Sequence, residues 1–190
     1  MTCSALRKSQ TMRTDLRREC AEKGIPLVGE CYPSMPVHGT PTRARQNTEQ
    51  IKVTAFVIMP NHVHAILFFP TNGYNLNTII SNAKRFCAYE IINRLKQSNE
   101  NKILQQLEDG LSAREKKKGQ LHKVFKDSFD AKPIYIKPFL LQKIQYIHLN
   151  PGRGKWKLVE DWREYKHSSA SFYELNKVMH YQPLHYDELY

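Results

Sequence analysis

Residues 51–69 read IKVTAFVIMPNHVHAILFF, and the fold of the core depends on this stretch. Its first nine residues are mostly β-branched or apolar, which is typical of a buried strand. Pro60 and Asn61 then interrupt the run, and residues 62–69 resume it. Because proline donates no hydrogen bond to a sheet, residues 62–69 form either a second strand or the continuation of a kinked one.

The residues downstream predict a helix, an insertion and a hairpin. Apolar side chains recur at helical spacing from Leu76 to Leu95, which predicts an amphipathic helix. Residues 97–123 form a polar, basic insertion with a short helix near Ile103–Leu107. Aromatic and polar residues alternate over 124–136, so we expect a short hairpin there.

A second helix is predicted to begin at Pro138, because proline suits the first turn of a helix. It should end at Asn150, since Pro151 follows and disfavours helical geometry in the residue before it. Its predicted buried stripe consists of three apolar residues, Leu140, Ile144 and Ile147.

The two ends of the chain carry weaker patterns. Residues 24–47 are rich in Pro, Gly and Thr, and we identify no strand before Ile51. We therefore assign residues 1–50 to an atypical N-terminal segment with partly irregular structure. The core then spans residues 51–174, and residues 175–190 form a C-terminal tail.

The charge balance points to a polyanionic partner. The chain has 29 Lys and Arg against 18 Asp and Glu, a net charge of +11 spread along its length. Its 4 cysteines form no CxxC pair, so neither a disulfide framework nor a zinc finger is indicated, and we expect a cytoplasmic protein with reduced thiols. No apolar run reaches the roughly 18 residues of a membrane span, so no membrane association is expected.

His62 and His64 are candidate metal ligands. Residues two apart on a strand point to the same face, so both imidazoles can reach one ion about 2 Å from each ring nitrogen. The simpler alternative is a pair of histidines on a half-exposed strand face, because short motifs often occur by chance.

Tyr146 and Asn150 are a second candidate pair. They lie four residues apart on the second helix, about one turn from each other. If this face meets the histidines, the Asn150 side-chain oxygen can complete a metal ligand set. Tyr146 would then lie near a phosphate bound to the ion and could act as a nucleophile.

Three motifs together resemble one family. They are MPNHVH at residues 59–64, YIHLNP at residues 146–151 and YKHSSA at residues 165–170. In this order they resemble the REP-associated tyrosine transposases and the wider single-tyrosine HUH transposases. The resemblance covers most of the core, residues 51–174.

That resemblance implies an α+β fold, a ferredoxin-like antiparallel sheet with helices packed on one face. It also implies a Mg²⁺ or Mn²⁺ ion, single-stranded or hairpin DNA as the substrate, and a covalent 5′-phosphotyrosine. His62 and His64 match the metal ligands, Tyr146 the nucleophile and Asn150 the polar residue four positions on. The Ser168–Ala170 segment matches a signature that we interpret as structural. Family members usually open with a strand, which we do not find in residues 1–50.

Basic residues of the core and its insertion are predicted to hold DNA phosphates without reading sequence. Those assigned to DNA binding are Lys84, Arg85, Lys116, Lys117, Lys143, Arg153 and Lys155. Trp156, Trp162 and Tyr165 can stack on unpaired bases, although core packing is the commoner role of large aromatic side chains.

Two other functions remain open. One is a domesticated DNA-binding protein that keeps the fold without catalysis, which the unusual N-terminal segment suggests. The other is a zinc hydrolase that uses the His-x-His pair, although such an enzyme needs further His and Asp ligands. The sequence leaves open whether the protein is a monomer or a homodimer.

Overall fold

The computed structural model describes residues 2–7, 51–71, 73–126, 129–153 and 157–189, with the backbone alone for residues 2–7. A four-stranded antiparallel sheet forms its centre, in the order β2-β3-β1-β4. The strands are β1 (Thr2–Arg7), β2 (Lys52–Met59), β3 (His62–Phe69) and β4 (Asp130–Ile134). This order, with a helix between β3 and β4, is ferredoxin-like. The predicted α+β class and sheet are confirmed.

The stretch at residues 51–69 forms a hairpin, which decides between the two readings of Pro60. Met59 pairs with His62, so Pro60 and Asn61 are the two residues of a tight turn between β2 and β3. A register shift between Val53 and Ala55 interrupts the regular pairing of β2 near its start. The remaining pairs stay in register, so each strand has one apolar set on each face.

The central strand β1 was not recognised from the sequence. It pairs with β3, where Cys3 faces Phe68, and with β4, where Cys3 faces Ile134. Both partners lie far along the chain, and pairing at such separations leaves no local sequence pattern. Residues 8–50 lie outside the described residues.

The hairpin predicted for residues 124–136 is wrong. Within that segment the described residues contain one strand, β4, and its partner is β1 rather than a neighbouring strand. Val124 is buried among helical residues instead. β4, which contains Pro133, lies at the edge of the sheet, and edge strands are where proline is tolerated in sheets. Alternation indicated a strand, but it carried no information about the strand's partner.

Local signals explain where the helices begin. The helices are α1 (Leu76–Gln97), α2 (Asn101–Asp109), α3 (Ala113–Lys117), α4 (Lys137–Leu149) and α5 (Ala170–Leu175). The Asn75 side chain caps α1, and Ser112 forms a capping box with Glu115 at α3. Pro138 lies in the first turn of α4, and a 3-10 turn, Asn150–Gly152, follows that helix. The predicted helices around Leu76–Leu95, Ile103–Leu107 and Pro138–Asn150 are confirmed.

None of the helices in the described ranges combines the length and the apolar character needed to span a membrane.

The faces of β2 and β3 pack against different helices. On one face, Val57 and Ile66 pack with Leu140, Ile144 and Ile147, the predicted stripe of α4. We call this the site face. On the opposite face, Leu67 and Phe69 pack with Ile80 of α1. α1, the first helix after β3, therefore begins against one face, while α4, which follows β4, covers the other.

The outer edge of β2 is covered by the C-terminal part of the chain. The Ile58 amide donates to the His167 carbonyl at 2.8 Å, and the Phe56 amide donates to Ser169 Oγ at 2.9 Å. Leu184 donates to the Val53 carbonyl at 2.9 Å. An uncovered edge strand exposes unpaired backbone groups, and these contacts satisfy them. The structural role predicted for the Ser168–Ala170 segment is confirmed.

Candidate functional site

The two histidines of the HVH motif lie side by side on the site face. Their ring centres are 4.7 Å apart and their planes are nearly perpendicular, at 80°. Val57 and Met59, both buried, pair with His64 and His62 across the hairpin. His64 is buried and His62 is half-buried. The hairpin therefore presents two imidazoles on one face, one buried more deeply than the other.

The geometry of this pair fits a shared divalent ion. A metal ion lies about 2 Å from a coordinating ring nitrogen and about 3 Å from the ring centre, so two rings that share an ion have centres up to about 6 Å apart. His62 Nδ1 is hydrogen-bonded to Asn61 Oδ1 at 2.5 Å. Because a carboxamide oxygen only accepts, this hydrogen bond places the proton on Nδ1, and Nε2 is then the ring nitrogen whose lone pair a metal bond would use.

Tyr146 of α4 lies against this pair. Its ring centre is 5.8 Å from that of His64, with the planes at 75°, and the side chain is 50% exposed. The phenol is thus held by contact with a buried imidazole while much of its surface stays accessible. A strand and a helix that are distant in sequence bring the predicted nucleophile and the predicted ligands together.

Asn150 is oriented by its own helix. Its Nδ2 donates to the Tyr146 carbonyl at 3.0 Å and to the Ile147 carbonyl at 3.4 Å. The nitrogen side of the carboxamide is thereby committed, and the oxygen side is the one that can coordinate an ion. Its role as a ligand stays a prediction. Within the described residues, no group of three or more His, Cys, Asp or Glu side chains is placed to hold a metal.

A buried hydrogen bond anchors α4 beside the hairpin. His148 Nε2 lies 2.8 Å from Ser169 Oγ, and Ser169 is in turn bound to the backbone of Phe56 in β2. Burial lowers the pKa of His148 to about 4, so the imidazole is neutral at pH 7. His148 lies two residues after Tyr146, so this bond fixes the part of α4 that carries the phenol. The role of His148 in this structure is therefore structural.

Lys143 lies next to Tyr146 but is not a surface residue. Only 7% of it is exposed, and its ammonium lies 4.6 Å from the ring centre of Phe139 and 6.0 Å from that of Tyr146. Aromatic faces attract a cation and offset part of the cost of burying it. It therefore brings a positive charge to the side of the phenol. Its predicted contact with DNA stays a prediction.

The other predicted DNA-binding residues lie in separate places. Arg85 on α1, Lys116 and Lys117 on α3, and Arg153 after α4 are exposed. Lys84 is less available, because its ammonium donates to the Lys126 carbonyl at 2.8 Å and lies over the Phe129 ring. Lys155 and Trp156 lie outside the described residues. Of the predicted stacking aromatics, Tyr165 donates to the Ile58 carbonyl at 3.0 Å and so packs on β2.

Sequence reasoning identified neither the role of Asn61 nor the hydrogen-bond partners of Ser169. The position of Asn61 beside His62 could have indicated their hydrogen bond, because a side chain in a tight turn stays close to its neighbour. Ser169 offered no such signal, since its partners Phe56 and His148 are distant in sequence.

Comparison with known proteins adds one similarity. No family model and no curated protein matches the chain. Among solved structures, the chain is similar to a REP-associated tyrosine transposase bound to a REP hairpin, with 13% sequence identity and a TM-score of 0.47. The similarity covers 96% of this chain and 87% of that one. A likeness of this size does not establish a family.

Proposed function

We propose that this protein cuts and rejoins single-stranded DNA through Tyr146, with a Mg²⁺ or Mn²⁺ ion held by His62 and His64. The observation that carries the proposal is the ring contact between Tyr146 and His64, beside a histidine pair with the spacing of a shared ion. A nucleophile and two metal ligands on one face are the parts that phosphoryl transfer to a tyrosine requires.

The reaction exchanges one phosphodiester for another. Tyr146 Oη loses its proton and attacks phosphorus, the bond to the 3′ oxygen breaks, and a free 3′ hydroxyl is released. The 5′ phosphate stays on the tyrosine, which conserves the bond energy for rejoining by another 3′ hydroxyl. A bound divalent ion would supply charge neutralisation at the attacked phosphate.

The chain's own residues position these groups. Asn61 fixes the ring of His62, and the bond between His148 and Ser169 fixes α4. The Lys143 ammonium adds positive charge near the phenol, where the phosphate must approach. Exposure of Tyr146 lets a nucleic acid strand reach it.

Single-stranded or hairpin DNA is the proposed substrate. An unpaired strand can bring one phosphate close to a half-buried tyrosine, whereas a rigid duplex is restricted by its shape. The net charge of +11 and the exposed Arg85, Lys116, Lys117 and Arg153 favour phosphate contacts. Binding of this kind weakens steeply with salt.

The test is a covalent adduct between the protein and a labelled oligonucleotide. Single-stranded and hairpin oligonucleotides are incubated with Mn²⁺ or Mg²⁺ and resolved on a denaturing gel, and the linked peptide is identified by mass spectrometry. The wild-type protein should form an adduct, and Tyr146→Phe should form none while binding DNA with unchanged affinity. Tyr135→Phe is a matched control, since Tyr135 is an exposed tyrosine just before the same helix.

An adduct that persists in Tyr146→Phe would contradict the proposal. If the folded wild-type protein binds DNA but forms no adduct with any oligonucleotide, the alternative of a non-catalytic DNA-binding protein is favoured.

A further inference from the structure

Helix α1 carries an exposed stripe opposite its buried side. Ile80, Ile91 and Leu95 are its buried residues. Exposed residues recur every three or four positions on the other side, so they share one helix face. We call this set the α1 stripe, and it consists of Asn82, Arg85, Phe86, Tyr89, Asn93 and Lys96.

The α1 stripe presents two aromatic rings to solvent. Phe86 is 42% exposed and Tyr89 is 64% exposed. Their ring centres are 6.5 Å apart, with the planes at 85°. Large aromatic side chains are usually buried, and neighbouring exposed ones mark a surface that binds something.

The polar members of the stripe restrict what that partner is. The Arg85 guanidinium lies 5.0 Å from the ring centre of Phe86, and Lys96 adds a second cation toward the end of the helix. Glu90 is the one acidic residue in α1, and it is bound by Arg94 at 2.7 Å. The stripe therefore combines aromatic faces, cations and amides with no carboxylate, which suits a polyanion that has flat, apolar bases.

We propose that the α1 stripe binds an unpaired stretch of the nucleic acid substrate. Bases stack on Phe86 and Tyr89, while Arg85 and Lys96 contact phosphates. From residue 82 to residue 96 the helix rises about 21 Å, at about 1.5 Å per residue. The identification of the nucleic acid as DNA rests on the proposed function. Binding by the stripe itself does not depend on cleavage.

The stripe binds a segment other than the one that is cut. α1 begins against the sheet face opposite the site face, whereas Tyr146 lies on the site face. A strand held at both places has to pass around the domain. The stripe should therefore affect affinity for long strands without affecting the chemical step once DNA is saturating.

The experiment measures binding of labelled thirty-nucleotide oligothymidylate by fluorescence anisotropy, without divalent metal and in the Tyr146→Phe background. Phe86→Ala with Tyr89→Ala should weaken binding at least about fivefold for each ring that stacks. Phe86→Leu with Tyr89→Leu keeps apolar surface but removes the flat rings, and it should weaken binding as much. Leu121→Ala removes another exposed apolar side chain outside the stripe and should change nothing. Thermal unfolding checks that each variant is folded.

Unchanged affinity in both double variants would overturn the inference. If that result came with a change from dimer to monomer in sedimentation, the stripe would instead be an interface between copies of the chain. In the Tyr146→Phe background cleavage plays no part, so stripe binding and adduct formation by the wild-type protein can fail independently.

Discussion

The site face and the helical arm of this protein are stabilised in different ways. We define the helical arm as α1 and α2 together with Val124. Its buried residues are all apolar, and they are Ile80, Ile91, Leu95, Ile103, Leu107 and Val124. The buried polar and charged side chains of the described residues all lie in the sheet, in α4 or in the segment that covers β2. They are Thr54, His64, Lys143, His148, Ser168 and Ser169.

This difference separates stability from function. Burying a polar group costs free energy unless its partners are well placed, whereas apolar burial is favourable without directional contacts. The arm gains its stability from residues close in sequence. The site face bears the cost of polar burial and gains fixed orientations for the histidines and the tyrosine.

The largest effect should come from His62→Ala. Loss of one of two proposed ligands should reduce metal-dependent adduct formation about 100-fold or more, since the ion neutralises charge in the transition state. His62 is half-buried, so the fold should be kept. Adduct yield against Mn²⁺ concentration is the measurement, with His180→Ala as the exposed-histidine control. Unchanged Mn²⁺ dependence in His62→Ala would show that the histidine pair does not hold the ion.

A cavity in the helical arm should lower the stability of the fold and leave adduct formation unchanged. Leu95 is fully buried there, and Leu95→Ala should lower the free energy of unfolding by about 2–5 kcal/mol. Urea denaturation measures this, with the exposed Gln97→Ala as control. At a temperature where both proteins are folded, adduct formation should be unchanged. A large loss of adduct at full folding would mean that the arm and the site are coupled.

A smaller effect should appear in the pH dependence of stability through His148. Its pKa in the folded protein is about 4, below the ordinary value of 6.5, so the unfolded chain binds the proton more readily between these values. Stability should therefore fall as pH falls, by about 2 kcal/mol between pH 7.5 and pH 5. His148→Gln removes this contribution, so its urea-denaturation stability should have a flatter pH profile. Equal slopes in the two proteins would show that His148 is not buried in its neutral form.

The sequence predicted what local patterns can encode. Apolar periodicity identified the strands around Pro60 and the helix α1, and Pro138 marked the start of α4. These patterns did not reveal β1, and they assigned β4 to a hairpin, because the partner of a strand is set by residues far along the chain. The burial of Lys143 was missed for the same reason, since a lysine in a basic chain looks like a surface charge until its neighbours are known.

The proposed metal site can be observed in a crystal structure of the protein soaked in Mn²⁺, with anomalous scattering used to find the ion. We expect a peak about 2 Å from a ring nitrogen of His62 and of His64, on the side where Tyr146 lies. Ordered histidine rings with no peak between them at millimolar Mn²⁺, or a peak on residues remote from Tyr146, would contradict the convergence of ligands and nucleophile on one cation.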